Sequence, residues 1–445
     1  DNEMSISPNV GALSRYMSRR RADPQYARRA SDRYYLLAKI APDRALNGFV
    51  MPTMWEELGF VYTGPVDGHD LAAVIDALEN AAECERPIVV HISTTKGKGY
   101  APAEADAVAL HGVSAAGASK APSSVPAAPA YQKVFGDTMI ELARRDPRMV
   151  VITAAMAEGT GLAGFAKELP KQFFDVGIAE GHAVTFAAGL ATQGLRPVAA
   201  IYSTFLQRAY DSIIHDVCIQ NLPVLFALDR AGIVGEDGRT HQGMFDFAYL
   251  RCIPNMVVMA PKNENELRRM LATGLAHNGP SAVRYPRGSG VGVPLDVEPL
   301  PLDIGRAEVI CEGDDLGIIA IGAPVNIAME AAERLGLSGI STGVINARFV
   351  KPLDEDTLLE AARRYRRLVT IEEHVVAGGF GSAVLELLSK HGSLAGTRVL
   401  TVGLSDAFIE HGGQGAMRRE AGMDLGGVLQ SIAAGFPELG IRQEG

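Results

Sequence analysis

Short, continuous apolar runs alternate with segments of helical period along most of this chain, and that rhythm leaves few folds open. From Met149 it reads MVVIT (Met149 to Thr153), GHAVTFAAGLAT, PVAAIY (Pro197 to Tyr202), LQRAYDSIIHDVCI, PVLFALD (Pro223 to Asp229), MVVMAP, ENELRRMLATGLA and SAVRYP. Strand, helix, strand, helix predicts a parallel sheet with helices on both faces. The rhythm returns in LGIIAIG, NIAMEAAERLG, STGVINA, DEDTLLEAARRYRR, LVTIEE, SAVLELLSKHG and RVLTVG, predicting a second α/β unit. An earlier segment, to about residue 104, offers a helix near Asp70 to Ala82 and a strand over Pro87 to Thr94. It reads as the closing part of a further unit whose opening lies upstream, in keeping with a chain that begins at Asp1 rather than Met.

Two stretches read as connections. Ala105 to Ala130 is rich in Ala, Ser and Pro without hydrophobic period, and Val291 to Asp303 carries three prolines. A length of 445 residues with 47% hydrophobic content is enough for several cores. The formal charge of -10 gives no footprint for nucleic acid, and the basic patch from Ser14 to Arg29 is local, a solvated face or connection. Four scattered cysteines without a CxxC pair imply neither a zinc site nor a disulfide framework, and fit a reducing, cytoplasmic compartment. No apolar run approaches the ~18 residues of a membrane span, and no leader is expected.

Open α/β sheets bind ligands in the loops beyond the carboxyl ends of their strands. Glu180, in DVGIAEGHAVTFAAGL, follows a short strand and opens a helix, where an acid is ordinarily favoured by the dipole. Its neighbours are small and apolar apart from His182, so a desolvated carboxyl that shares a proton is expected there. Tyr202, Phe205 and Arg208 follow PVAAIY. Arg230 follows PVLFALD and leads into GEDGRTHQG (Gly235 to Gly243) with Asp237 and His241, while Arg287 follows SAVRYP. Singly, Tyr202 and Phe205 also read as core edge, Arg208 as a solvated helix residue and His241 as a loop histidine. Together, several arginines, a histidine and an acid on one rim point to a small phosphorylated substrate. The loop lacks the glycine spacing of a dinucleotide or Walker fingerprint. At the start, the Asn2 amide oxygen and the Met4 carbonyl could face one hard cation such as Mg²⁺.

These stretches, with DNEMSIS (Asp1 to Ser7), EELGFVYTGPVDGHDL (Glu56 to Leu71), KGKGYAPAE (Lys96 to Glu104), YLRCIPNM (Tyr249 to Met256) and RFVKPLDEDTL (Arg348 to Leu358), resemble the 1-deoxy-D-xylulose-5-phosphate synthases. Those are thiamine-diphosphate enzymes of the transketolase superfamily. The resemblance implies three parallel-sheet α/β domains, the first truncated: residues 1–104 as the later part of a diphosphate-binding domain, 105–130 as linker, 131–300 as pyrimidine-binding domain and 301–445 as transketolase C-terminal domain. It implies condensation of pyruvate with D-glyceraldehyde 3-phosphate to 1-deoxy-D-xylulose 5-phosphate and CO₂, with thiamine diphosphate and Mg²⁺ as cofactors, in a homodimer without nucleic-acid or membrane partners.

The resemblance also implies roles. Glu180 would hydrogen-bond the aminopyrimidine nitrogen, Phe205 would pack on that ring, and Met156 would lie near it. Asn2 and the Met4 carbonyl would bind Mg²⁺, and Lys96 and His111 would stand near the cofactor and the reacting carbons, although His111 also reads as a loop histidine. Tyr202, Arg208, Arg230, Asp237, His241 and Arg287 would receive the phosphorylated aldehyde.

Three departures stand out. The family's Gly-Asp-Gly, with its Mg²⁺ carboxylate, and its early histidines are expected upstream of Asp1. Gly181 replaces a usual glutamine, and Ala157 stands where an arginine is common. A transketolase, a β-type subunit of a 2-oxoacid dehydrogenase and a non-catalytic dimerising remnant are the competing readings.

Overall fold

The structure is a computed structural model that describes Met4 and residues 54–107 and 128–441. The chain divides into two compact units, Asp1–Ala121 and Pro122–Gly445. The basic patch at Ser14 to Arg29 and most of the first connection lie outside the described residues.

In the first unit, strand β1 (Val61–Asp67) and strand β2 (Ile88–Ser93) pair in parallel, joined through helix α1 (Leu71–Ala82). Asp70 starts that helix because its carboxylate accepts from Ala73 N at 3.2 Å, satisfying one of the free amides of the first turn.

The second unit opens with helix α2 (Tyr131–Arg145), followed by β3 (Met149–Thr153), β4 (Phe173–Asp175), helix α3 (Glu180–Thr192), β5 (Arg196–Tyr202) and β6 (Leu225–Asp229). Next come helix α4 (Asp246–Arg251), β7 (Val257–Met259), helix α5 (Glu264–Ala276) and β8 (Ser281–Arg284). The later part holds β9 (Glu308–Cys311), β10 (Leu316–Ala320), helix α6 (Pro324–Leu337), β11 (Thr342–Asn346), β12 (Phe349–Lys351) and helix α7 (Glu355–Arg364). It closes with β13 (Arg367–Val375), helix α8 (Phe380–Lys390), β14 (Arg398–Leu404), helix α9 (Gln414–Glu420) and helix α10 (Leu425–Gly435).

Two sheets result, a seven-stranded one ordered β12-β7-β8-β6-β5-β3-β4 and a five-stranded one ordered β14-β13-β10-β11-β9. All pairings are parallel except those of the edge strands β12 and β9. The expected α/β architecture is therefore present. Its cause is visible in single strands: Val198 and Ala200 of β5 pack into one core and Ala199 and Ile201 into another. A strand covered on both faces has no polar positions to alternate, which is why these runs are apolar throughout.

The second expected connection, Val291 to Asp303, holds no strand or helix but is not loose. The buried Glu264 carboxylate at the start of α5 accepts from Val291 N, Gly292 N and Val293 N at 2.6–3.0 Å, and Leu302 N donates to Thr273 Oγ1. Strand β12 was not expected from the sequence; it comes from the later part of the chain and extends the seven-stranded sheet.

A buried polar joint ties the two sheets together. Arg284 at the end of β8 pairs with Asp246 of α4, Nε to Oδ2 at 3.0 Å, and its Nη2 donates to the carbonyls of Gly243 and Glu373. Beside it on β13, burial pushes Glu372 up to about 8 and His374 down to about 4. The hydrogen bonds of His374 fit a neutral ring: Ala248 N donates to Nε2, leaving Nδ1–H to donate to Val375 O.

Candidate active site

Glu180 is the first residue of α3 and only 4% exposed. Its carboxyl is not without a polar partner, as the local sequence suggests: Arg208 Nη1 donates to Oε1 at 2.6 Å. This corrects the expectation of an isolated acid, and it moves Arg208 from the substrate rim alone to the side of Glu180. The cause is the segment after β5. Rather than one regular helix, it runs as a short α-turn (Ser203–Leu206), a 3₁₀ turn (Gln207–Ala209), another α-turn and a π turn (Ile213–Cys218), so Arg208 leaves the chain where the winding changes. Such departures from α geometry recur at functional sites.

Gly181, beside Glu180, has no steric reason to be glycine. A Cβ there would meet only the Arg208 carbonyl at 3.9 Å. Gly181→Ala is accordingly expected to stabilise the protein by a few tenths to about 1 kcal/mol, read from the urea midpoint, because the helix loses only the entropy cost of glycine.

An aromatic wall stands next to this acid. Phe205 stacks on Tyr202 with centroids 5.6 Å apart and meets His241 edge-on at 5.2 Å, and the Arg208 guanidinium lies 4.9 Å from the Phe205 ring. Tyr202 is buried at the end of β5, and burial pushes its hydroxyl well above the usual range. Arg230 also lies over the Tyr202 ring, 4.0 Å from its centroid, and its Nη1 donates to Gly159 O and to Asp229 Oδ2, both at 2.9 Å. Burial raises Asp229 to about 6 against the pull of that arginine. The Arg230 backbone is left-handed, φ 59°, a conformation costly for a non-glycine residue and concentrated at functional sites. Gly159 is required by space: a Cβ there would fall on the Tyr202 hydroxyl and close to Met156 Cε. That contact also places Met156 beside the wall.

The loop from Gly232 to Gly243 completes the rim. Its ends pair, Gly232 N to Gly243 O at 2.7 Å and Gly243 N to Gly232 O at 2.8 Å. Arg287 Nη1 reaches Asp237 Oδ2 at 3.5 Å and donates to Val234 O at 3.2 Å, while Nη2 reaches Glu236. His241 Nδ1 lies 2.9 Å from Thr240 Oγ1, and Thr204 Oγ1 donates to Thr240 O, tying the loop to the turn that carries Phe205.

Thus Glu180, Arg208, Phe205, Tyr202, Arg230 and His241 form one chain of contacts, with Met156 close to Gly159 beside them and Asp237 of the adjoining loop paired with Arg287. Lys96, in the turn after β2, and Met4 belong to the first unit. Asn2 and His111 lie outside the described residues. Among the described residues, no group of three or more His, Cys, Asp or Glu is arranged to hold a metal, and no helix is long and apolar enough to cross a membrane. Sequence reasoning passed over Asp229 and Gly159; the charged pair DR at the end of an apolar run was the available signal for the first.

Three family models match. One described as 1-deoxy-D-xylulose-5-phosphate synthase covers residues 1–94, the transketolase pyrimidine binding domain covers 127–291, and the transketolase C-terminal domain covers 305–428. The 1-deoxy-D-xylulose-5-phosphate synthase of Thermomicrobium roseum is 57% identical over 98% of this chain and 70% of its own. The 1-deoxy-D-xylulose-5-phosphate synthase 1 of Geobacter sulfurreducens is 53% identical over the same shares. Among solved structures, a split gene transketolase described as an inactive beta4 tetramer is similar, with a TM-score of 0.62 and 33% identity over 69% of this chain and 98% of that one. A transketolase from Leishmania mexicana, 19% identical with a TM-score of 0.57 over 73% of this chain and 48% of that one, shares the fold. The order of strands, the acid at the helix start and these matches lead to one conclusion: the chain belongs to the 1-deoxy-D-xylulose-5-phosphate synthase family.

Proposed function

We propose that this protein condenses pyruvate with D-glyceraldehyde 3-phosphate, releasing CO₂ and forming 1-deoxy-D-xylulose 5-phosphate, at the rim between Glu180 and Arg287. As a family member it is a thiamine-diphosphate-dependent transferase of the transketolase type. The observation that carries the site assignment is the buried Glu180 carboxyl beside the ring of Phe205, joined through Arg208.

The residues present fit the pyrimidine end of that cofactor. Glu180, on a buried helix start, would hold the ring nitrogen and share its proton, and Phe205 and Met156 would supply the apolar face. The bound cofactor supplies the carbanion equivalent that no amino-acid side chain provides. Arg208 fixes the carboxyl of Glu180 and is the neighbour through which that acid is kept in place. Tyr202 stiffens the floor: in contact with both Phe205 and Arg230, it keeps the cofactor side and the substrate side in register.

For the aldehyde, Arg230 and Arg287 are the phosphate-binding groups, since a guanidinium presents paired donors to phosphate oxygens. His241, in edge contact with Phe205, is placed to move a proton at the aldehyde oxygen as the new carbon–carbon bond forms, with Asp237 orienting the loop. Lys96 and His111 would add to the cofactor side. Asn2 and the Met4 carbonyl would bind Mg²⁺. Residues 1–104 would be part of the diphosphate-binding domain, 131–300 the pyrimidine-binding domain and 301–445 the C-terminal domain, in a cytoplasmic homodimer.

The test is direct. The full-length protein with thiamine diphosphate and Mg²⁺ is expected to form 1-deoxy-D-xylulose 5-phosphate from the two substrates, measured by chromatography and CO₂ release. Transfer of two-carbon units between sugar phosphates, with no product from pyruvate, would overturn the reading in favour of a transketolase.

A further inference from the structure

The loop that carries Asp237 and His241 is held from outside its own sheet. At its two ends, Ile233 and Met244 are buried in the core of the five-stranded sheet, among Leu316, Ile318, Val369 and Val402. Both hydrogen-bonding groups of Ile233 are taken by side chains from that side: its N–H donates to Glu373 Oε1 at 2.7 Å, and its carbonyl accepts from Gln414 Nε2 at 2.7 Å. The Glu373 carboxylate is in turn gripped by Arg418, Nε to Oε2 at 3.0 Å and Nη2 to Oε1 at 3.2 Å. Gln242 continues the seam, accepting from Val234 N at 2.6 Å and donating to Glu410 O at 2.9 Å.

Gln414 does something none of the others does. The same Nε2 that holds Ile233 O also donates to Arg287 O at 3.2 Å. One side-chain amide therefore bridges the carbonyls of the two segments that carry the substrate-facing groups. Arg287 closes the figure by donating from Nη1 to Val234 O at 3.2 Å, so its own guanidinium is referred to the same loop. Arg287 stands at one of these carbonyls and Ile233 opens the loop that carries Asp237 and His241, so a shift of Arg287 against the start of that loop strains one arm of the bridge. Misplacement of a binding group by about 1 Å is enough to change a rate or affinity strongly.

We propose that Gln414 is a positioning residue for the phosphorylated aldehyde: its amide sets the spacing between Arg287 and the loop of Asp237 and His241. It acts through two backbone carbonyls and touches neither cofactor nor reacting atoms. The inference rests on the assignment of Arg287, Asp237 and His241 to the aldehyde, and its test separates the two.

In the full-length holoenzyme, Gln414→Met keeps the length of the side chain and deletes the donors. KM for D-glyceraldehyde 3-phosphate is expected to rise roughly five- to twentyfold, with kcat and KM for pyruvate within about twofold of the wild type. The thermal midpoint is expected to fall by about a few degrees, because Ile233 is fully buried and its carbonyl loses the Gln414 donor. Arg287→Ala is the companion variant. It should raise the same KM, and the double variant should lose less than the product of the two single effects, as residues that act through one another do. If Arg287→Ala raises that KM but Gln414→Met does not, the positioning role is overturned. A comparable rise in both KM values would also overturn it, showing a merely structural contact. If Arg287→Ala itself leaves the aldehyde KM unchanged, the assignment of the rim falls and this inference falls with it.

Discussion

Glu180→Ala in the full-length holoenzyme is expected to cut turnover of pyruvate with D-glyceraldehyde 3-phosphate by about 10²–10⁴-fold, the range in which a positioned proton-transfer group contributes. The fold should survive the change. Glu180 is buried, but the side chain of its partner Arg208 is 55% exposed, so the guanidinium left behind can turn to water. The severe penalty for orphaning a buried ion therefore does not arise, and the stability loss is expected to stay within about 1 kcal/mol by urea denaturation. Glu180→Gln sharpens the result. It keeps the shape and an acceptor for Arg208 yet cannot pass on a proton, so an equal loss in both variants assigns the effect to proton sharing rather than packing. Wild-type turnover in Glu180→Ala would remove this residue from the mechanism.

The largest effect on stability is expected at a residue away from the chemistry. Arg284→Met should lower the free energy of unfolding by about 3–5 kcal/mol, the cost of breaking one side of a buried ion pair. Arg284 and Asp246 are almost wholly buried, and among the described residues Asp246 would keep as hydrogen-bond donors the Ser203 hydroxyl and Phe247 N. His374 Nε2, 3.9 Å from Asp246 Oδ1, is beyond hydrogen-bond distance, and its ring is held neutral by burial and by Arg284, so it offsets the loss only as far as removing Arg284 lets it charge. The guanidinium also lies 4.5 Å over Phe247, a contact that methionine restores only as packing. Changing both partners, Arg284→Met with Asp246→Asn, should recover part of the loss, because no charge is then stranded. A single variant within about 1 kcal/mol of the wild type would show that the joint is not a stability element.

The architecture was legible because burial on both faces turns a strand into an unbroken apolar run. PVAAIY and PVLFALD announced β5 and β6, and the candidate residues Tyr202 and Arg230 stand at the end of the first and just past the end of the second. What escaped is of another kind. The pairing of Glu180 with Arg208 spans 28 residues and depends on irregular helical winding, whereas sequence spacing exposes partners only when they recur at three or four positions on a regular helix. The joint of Arg284 and Asp246 escaped for a similar reason, since its base and its acid come from different elements. A hint was present in LVTIEEHV, where three successive polar residues close an otherwise apolar strand. Strand β12 was hidden by its brevity, three residues next to a left-handed Arg348 at φ 58°. Gly181, the substitution that looked most puzzling beside Glu180, occupies open space, and nothing in the structure explains why glycine stands there.

β12 changes what counts as a separable piece of this protein. By residue order it belongs with the later sheet, yet its hydrogen bonds complete the earlier one, where it covers β7 from the side. A polypeptide that stopped within the proline-bearing stretch at 291–303 would leave the backbone donors and acceptors of β7 unpaired along an open edge, the kind of surface on which chains add to one another. The two halves are thus laced rather than merely docked, and gene-level shuffling of one against a relative's partner would have to carry Phe349–Lys351 along with the sheet that it borders.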